Sequence, residues 1–421
     1  MSLHETTVKE EYRMKKTALL FGLWSLLCLS HAQMTVPEAE GDEEVVDLFT
    51  TPHTKLAAAT SDFGYNLFRQ LAARDPKVSV FLSPMSISAA FTQLSMGVSE
   101  RAEKQIYRAL RYHTLQDGQL HNTLKELLSS LRAPAKGFNS AERILLARKL
   151  RLKLEYLNNV ETQYGVRPQT LMGGARDLKA VNDWFKQKTG GKVPQILTSA
   201  LPRNTAVLPV GAAYFKGKWV TRFSKANKMD NFQVDGQAPV LIPMMEQENY
   251  PVKMGNDPDI GCTIAQVPMQ DGVSMYFFVP DEVTQNLTMI EEALTAEFVQ
   301  DLSNTLHAVQ VRLTLPVMKV SYSTDLLPSI SELGLSEWLA ETDLIKITSQ
   351  AVKLNSVRHK VVMETAPEGT EYASTTPTAR GQSLALAYNV DRPFLFLVRD
   401  EPSGALLMIG KVLSPRDMER V

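Results

Sequence analysis

The stretch Arg392–Pro415, 'RPFLFLVRDEPSGALLMIGKVLSP', is the part of the chain that most constrains its fold. Two apolar runs, 'PFLFLVRD' and 'ALLMIGKVL', flank the short turn sequence 'EPSG'. Two strand-like runs separated by a few residues that include Pro and Gly are typical of a β-hairpin. The C-terminal end of the chain is therefore predicted to be β-structure.

Similar runs occur through the second half of the chain. 'CTIAQVPM' and 'VSMYFFVP' flank the turn 'QDG' and predict a second hairpin. Three further runs rich in β-branched residues predict strands: 'TAVLPVGAAYF', 'VQVRLTLPVMKV' and 'AVKLNSVRHKVVME'.

Helical spacing dominates elsewhere. Apolar residues recur at helical intervals from Leu56 to Leu71, and similar patterns cover about 84–97, 100–111, 119–131, 176–188, 287–302 and 325–340. The chain shows no internal repeat and no low-complexity linker. It therefore predicts a single mixed α+β domain, which we place at residues 55–415.

Composition narrows the range of functions. The 421 residues are 44% hydrophobic and 22% charged, which is typical of a globular protein with a large core. A net charge of −1 argues against a nucleic-acid-binding protein. We find no Gly-x-Ser-x-Gly, His-Glu-x-x-His, phosphate-loop or Cys-x-x-Cys motif, so we predict no enzyme, no metal site and no cofactor.

The N-terminal region has the features of an export signal. Lys15 and Lys16 precede an apolar run, and small residues at Ser30 and Ala32 are suited to cleavage before Gln33. We predict an upstream extension at 1–13, a signal peptide at 14–32, an acidic flexible tail at 33–54 and a C-terminal tail at 416–421. The alternative for the apolar run is an uncleaved interfacial anchor.

Secretion agrees with two other features. A glycosylation sequon begins at Asn286, and Cys262 is the one cysteine left after the signal is removed. Cys262 is flanked by isoleucines and is predicted to be a buried apolar residue. We predict a secreted, extracellular protein that is not an integral membrane protein.

Several segments together resemble the serpin family. They are the C-terminal stretch above, 'FLSPMSISAAFTQLSMG' (81–97), 'VNDWFKQKTGGKV' (181–193, with a Trp184 that the family buries), 'AAYFKGKW' (212–219) and 'VRHKVVME' (357–364) followed by 'EGTEYAS'. The resemblance implies eight to nine helices around three mainly antiparallel sheets, an exposed reactive-centre-like loop at about 365–392, and a monomer. Within the family the chain resembles a non-inhibitory, anti-angiogenic and neurotrophic signalling member.

The loop sequence indicates whether a serpin can trap a protease, because trapping requires the cut loop to insert as a strand into the central sheet. Gly369 and Thr370 resemble an inhibitor's hinge. If Glu371 stays in solvent, strand alternation directs Tyr372 inward, where a phenol ring in an alanine-sized slot costs about 1–3 kcal/mol. Pro377 lacks the N–H that a central strand needs. The loop therefore predicts a non-inhibitory serpin. The alternative is a serine protease inhibitor that uses the loop 368–392 as bait, with Arg380 or a residue near Gln382 or Ser383 at the cleaved bond.

The resemblance also predicts a polar cluster that controls sheet opening. Ser83, Ser86 and His359 match its members, whereas Gly211 stands where the family usually has Asn. The alternative for His359, a catalytic residue, is less favoured than a buried, hydrogen-bonded histidine.

Two charged groups are candidate binding sites. In 'ARKLRLK', Lys149, Arg151 and Lys153 alternate with leucines, which predicts a strand with cations on one face. With Arg148, they predict binding of heparin- or hyaluronan-type glycans, whose charges repeat along a chain; the alternative is a solvated strand face.

The resemblance further implies collagen binding by Asp257, Asp259 and Asp301. The sequence around the first two would otherwise indicate an ordinary turn. It also implies a cell-surface receptor, contacted near 54–131, where the residues themselves indicate only core.

Overall fold

The computed structural model describes residues 49–115, 118–283, 287–369, 386–414 and 416. The predicted extension (1–13), the signal peptide (14–32) and most of the acidic tail lie outside the described residues. So do the sequon asparagine Asn286, the loop residues Thr370, Tyr372 and Pro377, and the C-terminal tail from 417 onward.

The first helix begins earlier than predicted. Helix α1 spans Pro52–Arg74, with Thr51 as its N-cap. The Thr51 hydroxyl accepts from the Thr54 N–H at 3.1 Å, and the Thr54 hydroxyl in turn accepts from the Thr51 N–H at 3.0 Å. This reciprocal capping box, with Pro52 in the first turn, fixes the start of the helix. The prediction that residues up to 54 form a flexible tail is therefore wrong at its C-terminal end.

The remaining helices follow the predicted pattern with three differences. They are α2 (Pro84–Ser95), α3 (Glu100–Ala109), α4 (Leu120–Leu131), α5 (Leu154–Tyr164), α6 (Ala175–Lys188), α7 (Thr288–Ala293), α8 (Ala296–Thr305), α9 (Leu327–Ile330) and α10 (Ser336–Ala340). Helix α5 was not predicted. The predicted helix at 287–302 is two helices, because Leu294 is extended. A π-turn, Ser331–Leu335, joins α9 to α10, and within it Gly334 has φ +94°.

Fourteen strands lie within the described residues. They are β1 (Val80–Leu82), β2 (Phe138–Ala147), β3 (Gln169–Leu171), β4 (Val207–Phe215), β5 (Lys225–Phe232), β6 (Val240–Asp257), β7 (Cys262–Pro268), β8 (Val273–Pro280), β9 (His307–Pro316), β10 (Lys319–Asp325), β11 (Arg358–Glu364), β12 (Ala387–Asn389), β13 (Phe394–Asp400) and β14 (Ala405–Val412).

These strands pair into two sheets. The larger has the order β1-β14-β13-β8-β7-β6-β9-β12, with β5 paired to β6, and the smaller has the order β10-β11-β4-β2-β3. Pairing is mainly antiparallel, as predicted; the exceptions among the described strands are β2–β3, β4–β11 and β9–β12. Two sheets appear where the resemblance implied three, because the 18-residue β6 pairs in turn with β5, β7 and β9.

The C-terminal hairpin is confirmed and lies in the larger sheet. β13 pairs with β14 on one side and with β8 on the other, and every residue of β13 and β14 is buried. Helices α1 and α2 pack against β14. The predicted hairpin of β7 and β8 is confirmed as well.

The smaller sheet is apolar on both faces. Ile144, Leu146, Ala213 and Phe215 belong to the main core, whereas Leu145, Leu208 and Val210 belong to a second cluster with Val181 and Phe185 of α6. Trp184 is not fully buried. Its ring packs against Phe185, and the Arg143 guanidinium lies 4.6 Å from the ring centre.

Candidate functional site

The predicted basic strand is not a strand. β2 ends at Ala147, and the next residues form a turn that leads into α5 at Leu154. The Lys153 N–H donates to the Ile347 carbonyl at 2.8 Å, and the Arg151 N–H donates to Gln350 Oε1 at 2.8 Å. These long-range hydrogen bonds hold the backbone away from the sheet. The predicted strand is therefore wrong, whereas the alternation of exposed cations with inward leucines holds for Leu150 and Leu152 and fails at Leu154.

The four cations of this turn are nevertheless exposed. Arg148, Lys149, Arg151 and Lys153 all face solvent, while Leu150 packs into the main core. Leu154 does not share that packing, because its side chain is 66% exposed. None of the four cationic side chains forms an ion pair with a carboxylate of the described part of the chain. We name residues 148–153 the basic turn.

The N-terminal stem of the predicted loop is attached to the body. Within Ala366–Gly369, the carbonyls of Glu368 and Pro367 accept from the N–H groups of Trp219 (3.2 Å) and Phe223 (3.1 Å). The Trp219 indole N–H donates to the Ala366 carbonyl at 2.8 Å. These residues therefore form an ordered stem and not part of an exposed loop.

Gly369 completes this stem by close backbone packing. It forms a parallel bridge with Trp219, and a Cβ at Gly369 would lie 2.7 Å from the backbone N of Arg222. Because the obstructing atoms belong to the backbone, a side chain cannot be accommodated without movement of one segment. Gly369, the predicted hinge residue, thus packs directly against the backbone of the segment that follows β4.

The predicted loop boundaries of about 365–392 are too wide at both ends. Thr365 is buried, and its hydroxyl accepts from the Met318 N–H at 2.8 Å. At the other end β12 pairs with β9, and Tyr388 and Val390 are buried. The described residues at both ends of the predicted loop therefore belong to the packed body of the protein.

The strand that leads into the loop lies directly beside the central strand. Six consecutive pairs, from Arg358–Val210 to Met363–Phe215, join β11 to β4 in parallel. We call this pairing the β4–β11 seam. An inserted strand between them would have to replace every one of these pairs.

The predicted polar cluster lies at this seam and is brought together. The Ser83 N–H donates to His359 Nε2 at 3.1 Å, and the Ser86 hydroxyl donates to the Ala212 carbonyl at 3.3 Å. A Cβ at Gly211 would lie 2.8 Å from Ser86 Oγ and 3.7 Å from His359 Nδ1. Ser86 therefore approaches the backbone at the position that the family fills with Asn.

His359 is held in its neutral form. Burial lowers the pKa of its imidazole to about 3, and the nearby Gly211 backbone opposes that shift only in part. An imidazole that stays neutral throughout the physiological range and is not exposed cannot meet a substrate. The geometry fits the buried-histidine interpretation and not the catalytic one.

Of the predicted acidic residues, Asp257 ends β6, Asp259 lies in the turn after it, and Asp301 lies on α8. The Asp257 carboxylate accepts from the N–H groups of Asp259 (3.0 Å) and Ile260 (3.3 Å), so it closes the turn after β6. Asp259 is exposed, as is Asp301 on α8. The Lys253 ammonium of β6 donates to the Ser303 carbonyl of α8 at 2.9 Å, so this strand and this helix are neighbours.

The described residues offer neither a reactive cysteine nor a metal site. Cys262 is buried, and burial raises the pKa of its thiol to about 12. Among the described residues no group of three His, Cys, Asp or Glu side chains could hold a metal ion. No helix in the same residues is long and apolar enough to span a membrane.

Two contributions were missed at the sequence level. Trp219 anchors the stem across about 150 residues of chain, and Arg203 lies near Arg148 and Lys149 around one cavity. The run 'AAYFKGKW' gave a family signal for Trp219 but no indication of its contact. No signal in the sequence marked Arg203.

A family model described as serpin (serine protease inhibitor) matches residues 58–415. Pigment epithelium-derived factor of Bos taurus is 41% identical over 90% of this chain and 92% of that protein, and its Homo sapiens counterpart is 40% identical over 89% and 90%. Alpha-2-antiplasmin of Bos taurus is 28% identical over 86% of this chain and 72% of that protein. The crystal structure of maspin covers 86% of this chain and 100% of its own, with 25% identity and a TM-score of 0.77.

Proposed function

The chain belongs to the serpin family, and from that premise we propose that it is a secreted, non-inhibitory serpin that acts as an extracellular signalling ligand of the anti-angiogenic and neurotrophic type. The observation that carries the proposal is the 40–41% identity to pigment epithelium-derived factor across about nine-tenths of each chain, against 28% to an antiplasmin. We infer no enzymatic activity and no cofactor.

The loop chemistry supports the non-inhibitory assignment. Tyr372 and Pro377 are poorly suited to an inserted strand, for the steric and hydrogen-bonding reasons given above. The stem supports it further, because Ala366–Gly369 is bonded to Trp219 and Phe223. Insertion would have to break these hydrogen bonds as well as the β4–β11 seam.

Incubation with a trypsin-like and a chymotrypsin-like protease tests this proposal. We expect simple cleavage, and a melting temperature of the nicked protein within a few degrees of the intact one. A denaturant-resistant covalent complex, or a large gain in thermal stability after nicking, would instead establish the inhibitor that uses 368–392 as bait.

We further propose that the basic turn binds sulfated or carboxylated glycans of the heparin or hyaluronan type. Its support is the exposure of Arg148, Lys149, Arg151 and Lys153 without ion-pair partners among the described residues. Exposed cations bind polyanions by electrostatic attraction, which salt screens. The double variant Lys149→Ala/Arg151→Ala should elute from heparin at markedly lower salt, whereas Lys77→Ala, in the turn between α1 and β1, should not.

Collagen binding by Asp257, Asp259 and Asp301 is a separate proposal. Asp259, in the turn after β6, and Asp301, on α8, are exposed carboxylates, and β6 contacts α8 through Lys253 and the Ser303 carbonyl. The double variant Asp259→Asn/Asp301→Asn should lose collagen binding and keep heparin binding. Asp257 is less suitable for substitution, because its carboxylate also closes the turn. Retained collagen binding by the double variant would contradict this site.

The receptor is proposed on the family likeness alone, and the glycosylation on the sequon that begins at Asn286. We propose contact with a cell-surface receptor near 54–131 and glycosylation at Asn286. Helices α1 to α4 supply much of 54–131, and their buried faces belong to the main core. A truncated receptor-binding fragment would therefore expose that core, so binding should be tested by substitutions on the exposed faces of the whole protein.

A further inference from the structure

We propose that a cavity beside the basic turn is a subsite for one sulfo group of a sulfated glycan, with Arg203 as a recognition residue. The inference rests on the proposed glycan binding and makes it more specific. It names a sulfated chain, in preference to one that carries carboxylates alone, as the ligand of this site.

The cavity has a volume of about 210 Å³. Its walls come from the basic turn, the end of β3, the loop before α6 and the segment 201–205. Arg148 and Lys149 line one part, and Arg203 lies on the segment that precedes β4. Residues distant in sequence thus supply three cations to one concave site.

These cations are available to an external anion. Arg148, Lys149 and Arg203 are exposed, and none forms an ion pair with a carboxylate within the described ranges. Asp177 is the one acidic residue that lines the cavity. Its two oxygens already accept from the N–H groups of Met172 (2.8 Å) and Gly173 (2.6 Å). The cavity is therefore lined by three cations and by one carboxylate that is already hydrogen-bonded, so its net charge is positive.

The backbone adds to this field. Helix α6 has 14 residues and begins at the cavity, and its N-cap, Gly174, has no side chain to satisfy the first N–H groups. The positive end of the helix dipole adds to the field of the cations, and the Asp177 carboxylate in the first turn offsets part of it. A Cβ at Gly173 or Gly174 would meet no heavy atom within 4 Å, so this wall leaves space for a ligand.

The donors favour sulfate over carboxylate. Two guanidinium groups and an ammonium offer many N–H donors around one cavity; because arginine forms two parallel hydrogen bonds with a carboxylate as well, it is the number of donors that favours the sulfo group. A sulfo group presents three oxygens around one centre, whereas a carboxylate presents two in a plane. The site should therefore distinguish heparin fragments from hyaluronan, which carries carboxylates only.

The test uses the full-length protein, a heparin hexasaccharide and a hyaluronan oligosaccharide of equal length, with affinities measured by calorimetry over a range of NaCl concentrations. Arg203→Ala should weaken heparin binding by about ten- to a hundredfold, the usual loss for one charge-assisted hydrogen bond, and Arg203→Lys should restore part of it. Hyaluronan binding should change less than twofold. Thr205→Phe narrows the cavity without removing a charge and should also weaken heparin binding.

Arg151→Ala and Lys77→Ala serve as controls, and thermal melting verifies that each variant is folded. If Arg203→Ala behaves like Lys77→Ala while Arg151→Ala loses affinity, the subsite is wrong and the basic turn still binds glycan. If Arg203→Ala weakens both glycans equally, or Thr205→Phe has no effect, Arg203 acts only as a surface charge and the proposed recognition is refuted. If none of the variants changes heparin binding, the proposed glycan function itself fails.

Discussion

Replacing His359 with Gln should remove the part of the protein's acid sensitivity that comes from this one buried imidazole. The imidazole lies at the β4–β11 seam, where burial lowers its pKa to about 3, against 6.5 for an exposed histidine. The unfolded chain therefore binds a proton between these two pH values that the folded protein does not bind. Stability falls as the pH decreases through that window, because protons favour the state that takes them up.

The magnitude follows from the two pKa values. From pH 7 to pH 5 this one group should lower the free energy of unfolding by about 2 kcal/mol, at ~1.4 kcal/mol per pH unit below 6.5. The figure hardly changes for any folded pKa below about 4, since the folded imidazole is then neutral at both pH values. A glutamine can still accept from the Ser83 N–H, which donates to the ring at 3.1 Å in the native protein.

Urea unfolding at pH 7 and at pH 5 measures the effect. The native protein should lose about 2 kcal/mol more between these pH values than His359→Gln does. His307→Gln provides a matched control, because His307 is exposed at the start of β9. Equal acid destabilisation of the native protein and His359→Gln would show that the imidazole is protonated in the folded state, and the account of the seam would be refuted.

Three other predictions concern buried groups. Lys411→Met should lower the free energy of unfolding, measured in urea, by about 3–5 kcal/mol, because the buried Glu291 carboxylate, which lies 3.0 Å from the ammonium, loses its partner. Adding Glu291→Gln should recover part of that loss, and a loss below about 1 kcal/mol would contradict the pairing. Gly369→Ala should speed hydrogen exchange of the Trp219 amide at least tenfold, because the new Cβ would lie 2.7 Å from the Arg222 backbone; unchanged exchange would show that the stem adapts without opening. Cys262 should react with iodoacetamide at pH 8 more than a hundredfold slower than in the urea-unfolded chain, since its pKa is raised to about 12; rapid labelling of the native protein would contradict its burial.

The elements that the sequence predicted well are those whose patterns are local. The C-terminal hairpin was marked by two apolar runs and a Pro/Gly turn, and the helices by apolar residues at helical intervals. Helix α5 was missed because only Tyr156, Leu157 and Val160 are buried along it, too few to give a clear period.

The basic turn shows why the binding region was harder to predict. The alternation in 'KLRLK' matches the strand pattern, yet the backbone there is fixed by hydrogen bonds to Ile347 and Gln350, about 200 residues away. Tertiary contacts overrode a local signal. Arg203 could not be assigned for the same reason, because its relation to Arg148 exists only after β2 and β4 have paired.

The anchoring of the chain after the loop has a consequence for proteolytic processing. From Leu386 onward the backbone enters β12, and then β13 and β14, whose residues are buried between β8 and β1. The Tyr388 hydroxyl adds bonds to the carbonyls of Thr263 (3.1 Å) and Phe277 (2.9 Å). Cleavage of one peptide bond between Gly369 and Leu386 should thus leave the two resulting chains associated in the native protein. They should separate only in denaturant. Proteolysis in this interval would therefore release no free C-terminal peptide under native conditions.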